Sequence, residues 1–232
     1  MESMKILPAG DRALVADFGN IIAEEVNQKV HLLQQKLEEA KLAGIRELIP
    51  AFRSLLIEYD PSVLPMQTLR DRLLQISLAD VQSQQGSGHI WKVPCCYGGR
   101  YGEDLEAMAE ITGLSTEEII QIHAGTDYRV YMLGFLPGFA YLGGLDPRIA
   151  VPRLPVPRVE IPAGSVAIGG SQTGVYPMAS PGGWRLIGST PLAFYDPERT
   201  KPILCEAGDF IRFVPITPEE YENYDAEAEV WQ

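Results

Sequence analysis

Three segments decide how this chain is read: Gly134-Phe135-Leu136-Pro137-Gly138-Phe139-Ala140-Tyr141-Leu142-Gly143-Gly144, Gly169-Gly170-Ser171-Gln172-Thr173-Gly174-Val175-Tyr176-Pro177 and Ser180-Pro181-Gly182-Gly183-Trp184. They lie between Tyr131 and Thr190, a run with 11 of the 22 glycines and 8 of the 18 prolines, too many breakers for a long helix. Short pieces such as Tyr131-Met132-Leu133, Ser165-Val166-Ala167-Ile168 and Trp184-Arg185-Leu186-Ile187 read as strands joined by tight turns. That pattern predicts a β-barrel, whose corners need such residues. The same turns set aromatic faces and free N–H groups beside sharply bending backbone, which can make a small-molecule pocket.

Outward from this run, the β-rich half is expected to begin at Tyr128–Phe135 and to close with strands Leu192–Tyr195, Ile203–Glu206 and Phe210–Pro215, the last two joined by Ala207-Gly208-Asp209. Upstream, Ile6–Phe18 reads as a strand pair or one bent strand. Asn20–Ala43 reads as a helix on the spacing of Val26, Val30, Leu33, Leu37 and Ala40, stopped at Gly44. Ile45–Ile49 and Ser54–Tyr59 read as a hairpin, Leu64–Leu78 as a second helix, and Ile90–Pro94 as a further strand. The order β-α-β-β-α-β is that of a ferredoxin-like α+β domain. Short helices are expected at Glu103–Thr112 and from Ser115, which stands three residues before Glu118 as in a capping box. The division is therefore 1–88 (α+β), 89–217 (barrel) and 218–232, an acidic tail expected to fray, with 82–88 a polar linker.

Net charge is −12 and the basic residues are scattered, which argues against nucleic acid and an anionic membrane surface as partners. Cys95, Cys96 and Cys205 give neither a disulfide framework nor a zinc spacing, so a reducing, cytoplasmic setting and no metal site are expected. No apolar run approaches a membrane span. Tyr97-Gly98-Gly99-Arg100-Tyr101-Gly102 has the look of a phosphate loop but not its register. No Gly-x-Ser-x-Gly elbow is present. His123 could serve as a catalyst or as a packed residue at a helix end. Gln172, Thr173, Tyr176, Ser180, Trp184 and Arg185 could bind a small molecule carrying an amide and a carboxylate, or could satisfy turn backbone groups.

The chain resembles the KipI / allophanate hydrolase subunit 1 family. The resemblance rests on Pro94-Cys95-Cys96-Tyr97-Gly98-Gly99, His123, Tyr131–Phe139, Tyr141–Arg148, Pro162–Val166, Gly169–Pro177 and Ser180–Trp184. It implies that the barrel is cyclophilin-like and that the chain is a component of an ATP-dependent 5-oxoprolinase opening 5-oxo-L-proline to L-glutamate. The partners it implies are two further subunits of that enzyme, one KipA-type and one LamB/YcsF-type. An alternative within the family is inhibition of a sporulation sensor histidine kinase by docking on it. ATP and Mg2+ would act in the complex, since opening a lactam requires activation of its carbonyl and this chain has neither a Walker loop nor a carboxylate cluster. His123 and Tyr131 are then the catalytic candidates. Phe139, Tyr141, Gln172, Thr173, Tyr176, Ser180, Gly182, Gly183, Trp184 and Arg185 would form one substrate-side or interface hollow in the barrel.

Overall fold

The first strand, β1 (Lys5–Pro8), folds back on β2 (Ala13–Asp17) through a turn closed by the Ala9 N–H to Ala13 carbonyl bond. A computed structural model describes residues 4–21, 23–78 and 88–225, and the chain divides into two units, Met1–Ser87 and Gly88–Gln232. In the first, α1 (Glu24–Ala40), β3 (Ile45–Pro50), β4 (Ser54–Tyr59) and α2 (Met66–Gln75) follow. The sheet order is β1-β2-β4-β3 and every pairing is antiparallel. Alternation puts Leu14, Ala16, Leu55, Ile57 and Tyr59 on one face. Val30, Leu33 and Leu37 of α1 and Leu69 and Leu73 of α2 close over them, all buried.

Two expectations are corrected here. Helix α1 ends at Lys41, which itself takes the left-handed conformation (φ 44°), not at Gly44. Gly44 instead lets β3 start against Leu64, whose Cβ a side chain there would meet at 2.7 Å. The strand from Ile90 does not join this sheet. The first unit therefore runs β-β-α-β-β-α rather than β-α-β-β-α-β, and β1 takes an edge beside β2 through its local hairpin. The polar stretch 82–88, apart from Gly88, lies outside the described residues.

The second unit opens with β5 (Ile90–Tyr97), then α3 (Leu105–Thr112) and α4 (Thr116–Ala124). Gly113 ends α3 in the left-handed region, and Ser115 and Glu118 form the expected capping box on α4. Strands β6 (Asp127–Leu133), β7 (Ala140–Gly143), β8 (Arg158–Ile161), β9 (Ser165–Gly169), β10 (Gln172–Val175), β11 (Ser180–Gly182), β12 (Arg185–Ser189) and β13 (Phe210–Pro215) follow. Seven close into a barrel in the order β10-β7-β6-β13-β5-β12-β9, with β9 paired to β10. The β5–β13 pair is parallel and the rest antiparallel. Strands β8 and β11 form a separate two-stranded ribbon.

Leu192–Tyr195 and Ile203–Glu206 are not strands. A single bridge, Tyr195 to Ile203, joins them across the Asp196-Pro197 turn, and the Leu204 N–H bonds the Phe194 carbonyl. The expected Ile203–Glu206 hairpin with Phe210–Pro215 does not form, because β13 is taken by β5 on one side and β6 on the other. The beginning of the acidic tail is ordered: α5 (Pro218–Glu222) starts with a capping box of Thr217 and Glu220. The Tyr221 hydroxyl lies 3.0 Å from Ser189 Oγ, its ring packs on Tyr101, and Glu222 pairs with Arg100. Residues 226–232 lie outside the described set.

Candidate functional site

Strand β10 divides the expected hollow in two. Its side chains alternate, so Thr173 and Val175 face the barrel interior while Gly174 and the following Tyr176 face outward. Inside, Thr173 meets His123 of α4: Nε2 lies 2.8 Å from Thr173 Oγ1, and Nδ1 lies 2.8 Å from the Tyr97 hydroxyl. The Thr173 hydroxyl donates to the Ala167 carbonyl at 3.1 Å. It must then accept from His123, which fixes the imidazole as the Nε2–H tautomer with Nδ1 accepting from Tyr97. Tyr128 and Phe213 pack on the same ring, at 5.2 and 4.6 Å. His123 is fully buried, and burial lowers its pKa to about 3, so it is neutral at ordinary pH. It bridges α4 to the barrel wall and has no opening to a substrate.

Outside, Phe139 is the hub of an aromatic cluster. Its ring lies edge-to-face with Tyr141 (5.0 Å), Tyr176 (5.5 Å) and Trp184 (5.6 Å). Trp184 lies flush on the wall because Gly169 and Gly174 stand beneath it: a Cβ would come within 2.5 and 3.2 Å of the indole. Arg153 covers that indole at 5.7 Å. Phe135 extends the cluster outward, edge-on to Phe139 and 65% exposed, on a backbone with φ of 69°. A left-handed aromatic residue carries strain, and here the strain holds an apolar ring in solvent.

The β8–β11 ribbon covers this cluster. Gly182 fits over the Tyr176 hydroxyl, which a Cβ would meet at 2.4 Å. Asp104 ties the ribbon down: one oxygen accepts from Arg158 Nη2 at 2.8 Å and the other from the Leu186 N–H at 2.7 Å. Arg158 Nε also reaches Glu103, at 2.9 Å. Ser180 is buried and its Oγ has no hydrogen-bond partner. Burial raises the pKa of Tyr176 and of Tyr141.

The remaining candidates are dispersed. Tyr131 is the extra residue of a bulge between Val130 and Met132, and its ring lies over Gly143. Gln172 pairs with Gly169 at the start of β10. Arg185 Nε bonds the Pro152 carbonyl, and Gly183 packs against Pro157. Phe139, Tyr141, Tyr176 and Trp184, with Ser180 and Gly182 over them, are thus brought together; His123 and Thr173 stand across the wall, and Tyr131 stands apart. Sequence reasoning missed Arg158, Asp104 and Arg153. The first two lie 54 residues apart and meet only through the ribbon.

Among the described residues the groups present do not assemble a site for ATP phosphates or magnesium. Three amides of the Gly98–Gly102 turn are taken by the backbone: Gly98 bonds the Ile187 carbonyl, and Tyr101 and Gly102 bond the Gly98 carbonyl. Among the described residues no three His, Cys, Asp or Glu side chains cluster as metal ligands. No helix of the described residues is long and apolar enough to cross a membrane. Cavities open elsewhere, one of about 310 Å3 beside His89 and Trp91 and one of about 570 Å3 between the β5–β13 pair and α5.

The chain thus combines an α+β unit with a closed seven-stranded barrel that carries an outer aromatic cluster. Residues 4–205 match the model of the carboxyltransferase domain, subdomains C and D, and the chain belongs to that family. It is 44% identical to the 5-oxoprolinase B subunit of Bacillus subtilis (strain 168), over 94% of this chain and 95% of that one. It is 37% identical to the 5-oxoprolinase B subunit of Escherichia coli O157:H7, over 93% and 97%. The crystal structure of TTHA0988 superposes with a TM-score of 0.78 at 38% identity over 88% of this chain. This chain spans only 40% of TTHA0988, so it corresponds to one part of a longer polypeptide there.

Proposed function

We propose that this chain is the B subunit of an ATP-dependent 5-oxoprolinase, working with a KipA-type and a LamB/YcsF-type subunit to open 5-oxo-L-proline to L-glutamate. The observation that carries the reading is the end-to-end match to oxoprolinase B subunits, at 44% and 37% identity over nearly the whole of each. The chain is inactive alone in this account, and ATP and Mg2+ bind where a partner completes their site. That fits a chain in which Gly98, Tyr101 and Gly102 of the glycine turn give their amides to its own backbone. The outer aromatic cluster, from Phe135 and Phe139 to Trp184, is the wall that meets substrate or a partner subunit. In the same proposal the first unit is ferredoxin-like with β1 as its fourth strand, and the barrel is cyclophilin-like. The setting is cytoplasmic. The kinase-inhibitor alternative draws no support from these relatives. Co-expression with tagged KipA-type and LamB/YcsF-type subunits is the test: the proposal requires that this chain co-purify with them, and its absence from the eluate contradicts it.

A further inference from the structure

The cavity beside Trp91 is a built one. The Asp209 carboxylate accepts from three N–H groups: the His89 amide at 3.0 Å, the Trp91 Nε1–H at 2.9 Å and the Glu206 amide at 2.9 Å. Its charge is thereby used internally, and it locks the Trp91 indole in one orientation. His89 stands edge-on to that indole, at 4.5 Å, so the two rings form a rigid aromatic corner. Gly88 lies so close to the Gly208 carbonyl that a Cβ would come within 2.0 Å of its oxygen, which keeps the start of β5 against the Glu206–Asp209 turn. Ile203 and Leu204 line the same space, and Arg199 and Lys201 reach it from the irregular segment that replaces the expected strands.

The lining carries two cations, Arg199 and Lys201, and two carboxylates, Glu206 and the internally bonded Asp209. Arg199 is partly buried, steadied by Asp196 at 3.3 Å and by the Ala193 carbonyl at 3.0 Å. Lys201 pairs with Glu206 at 3.6 Å with both side chains about three-quarters exposed, a contact weak enough to give way to a ligand. Two cations, each paired with a carboxylate and Lys201 only weakly, thus line a volume of about 310 Å3 beside the Trp91 corner, the scale of a small-molecule site.

We propose that this cavity binds a small organic carboxylate with a flat or ring-shaped body, its ring against Trp91 and its carboxylate between Arg199 and Lys201. The ligand class comes from the lining alone; 5-oxoproline is a member of it, and in that one respect the proposal touches the oxoprolinase reading. None of the site residues expected from the sequence lines this cavity.

Isothermal titration of the full chain with benzoate and with 5-oxoproline tests it, with benzamide and 2-pyrrolidinone as uncharged counterparts. Both acids bind saturably, the neutral molecules roughly tenfold more weakly or not at all, since a charge-assisted bond is lost. The Lys201→Gln and Arg199→Gln variants each lose roughly tenfold in affinity for the acids. Lys201 is exposed, so its replacement leaves the fold intact. The Trp91 indole N–H resonance, assigned with Trp91→Phe, shifts on titration and the other tryptophans do not. No saturable binding, equal binding of the neutral molecules, or unchanged affinity in Lys201→Gln overturns the proposal. Turnover of 5-oxoproline by the assembled subunits is measured separately. Turnover without binding here defeats this site alone; binding here without turnover defeats the oxoprolinase reading alone.

Discussion

His123 Nε2 and Thr173 Oγ1 lie 2.8 Å apart inside the barrel, although 50 residues separate them. The bond joins α4 to β10, and both of its ends are fully buried. It also places β10 in register, with Thr173 facing in and Tyr176 facing out.

Removing either partner leaves a buried polar group unmatched. Thr173→Val keeps the volume but orphans the imidazole N–H, and should lower stability by about 1–3 kcal/mol. His123→Ala also opens a cavity and orphans the Tyr97 hydroxyl, and should cost about 3 kcal/mol or more. Urea unfolding of both single variants and of the double variant measures the coupling; additive effects would contradict the bond.

The same imidazole makes stability depend on pH. Unfolded, it takes a proton near 6.5; folded, burial holds protonation off until about 3. Between these values the unfolded state binds more protons, so this contribution is complete above 6.5 and is lost as pH falls. From pH 7 to 5.5 the loss is roughly 1 kcal/mol, and His123→Gln should abolish it. Unfolding free energies at the two pH values decide the matter, and an unchanged slope in the variant refutes it.

Trp184 lies over Gly169 with no room for a methyl group. Gly169→Ala should cost about 1–3 kcal/mol through displacement of the indole. Tryptophan emission should move to the red as the ring leaves its cradle. A variant with wild-type melting and emission would show that the ring has another seat.

Asp104 holds the β8–β11 ribbon through Arg158 and the Leu186 amide. Asp104→Asn weakens the pair and leaves a partly buried guanidinium with Glu103 as its remaining carboxylate, at a cost of about 1–3 kcal/mol. Amide exchange in Arg158–Ile161 and Ser180–Gly182 should accelerate well beyond that in β5 and β13. Uniform acceleration would mean that Asp104 supports the whole barrel rather than the ribbon.

Phe135 shows an exposed ring on a left-handed backbone. Phe135→Gly should raise the stability of the isolated chain by about 1 kcal/mol and weaken its assembly with the KipA-type and LamB/YcsF-type subunits. Melting and co-purification are the paired readouts. Unchanged assembly would remove Phe135 from the interface.

How much of this was legible follows the range of each interaction. Val26, Val30, Leu33 and Leu37 announce α1, and Ser115 with Glu118 announces α4, because those contacts are local. The parallel β5–β13 pair joins Ile90 to Phe210 and leaves no local mark. Leu192–Tyr195 and Ile203–Glu206 are apolar enough for strands, but their neighbours' edges are already taken. The division of the hollow was in the sequence: Thr173, Val175 and Gly174, Tyr176 alternate with period two, which sets them on opposite faces of one strand. Trp91 shares a cavity with Arg199 and Lys201 from more than 100 residues further along the chain, which no spacing reveals.

The central claim is that this chain completes a lactam-opening enzyme only in company. The direct measurement is L-glutamate and ADP released from 5-oxo-L-proline and Mg-ATP by this chain alone, by the KipA-type and LamB/YcsF-type subunits together, and by all three. The account predicts glutamate and ADP from the three-subunit mixture and neither glutamate nor 5-oxoproline-dependent ADP from the other two. Turnover by the single chain, or full turnover without it, would contradict the account.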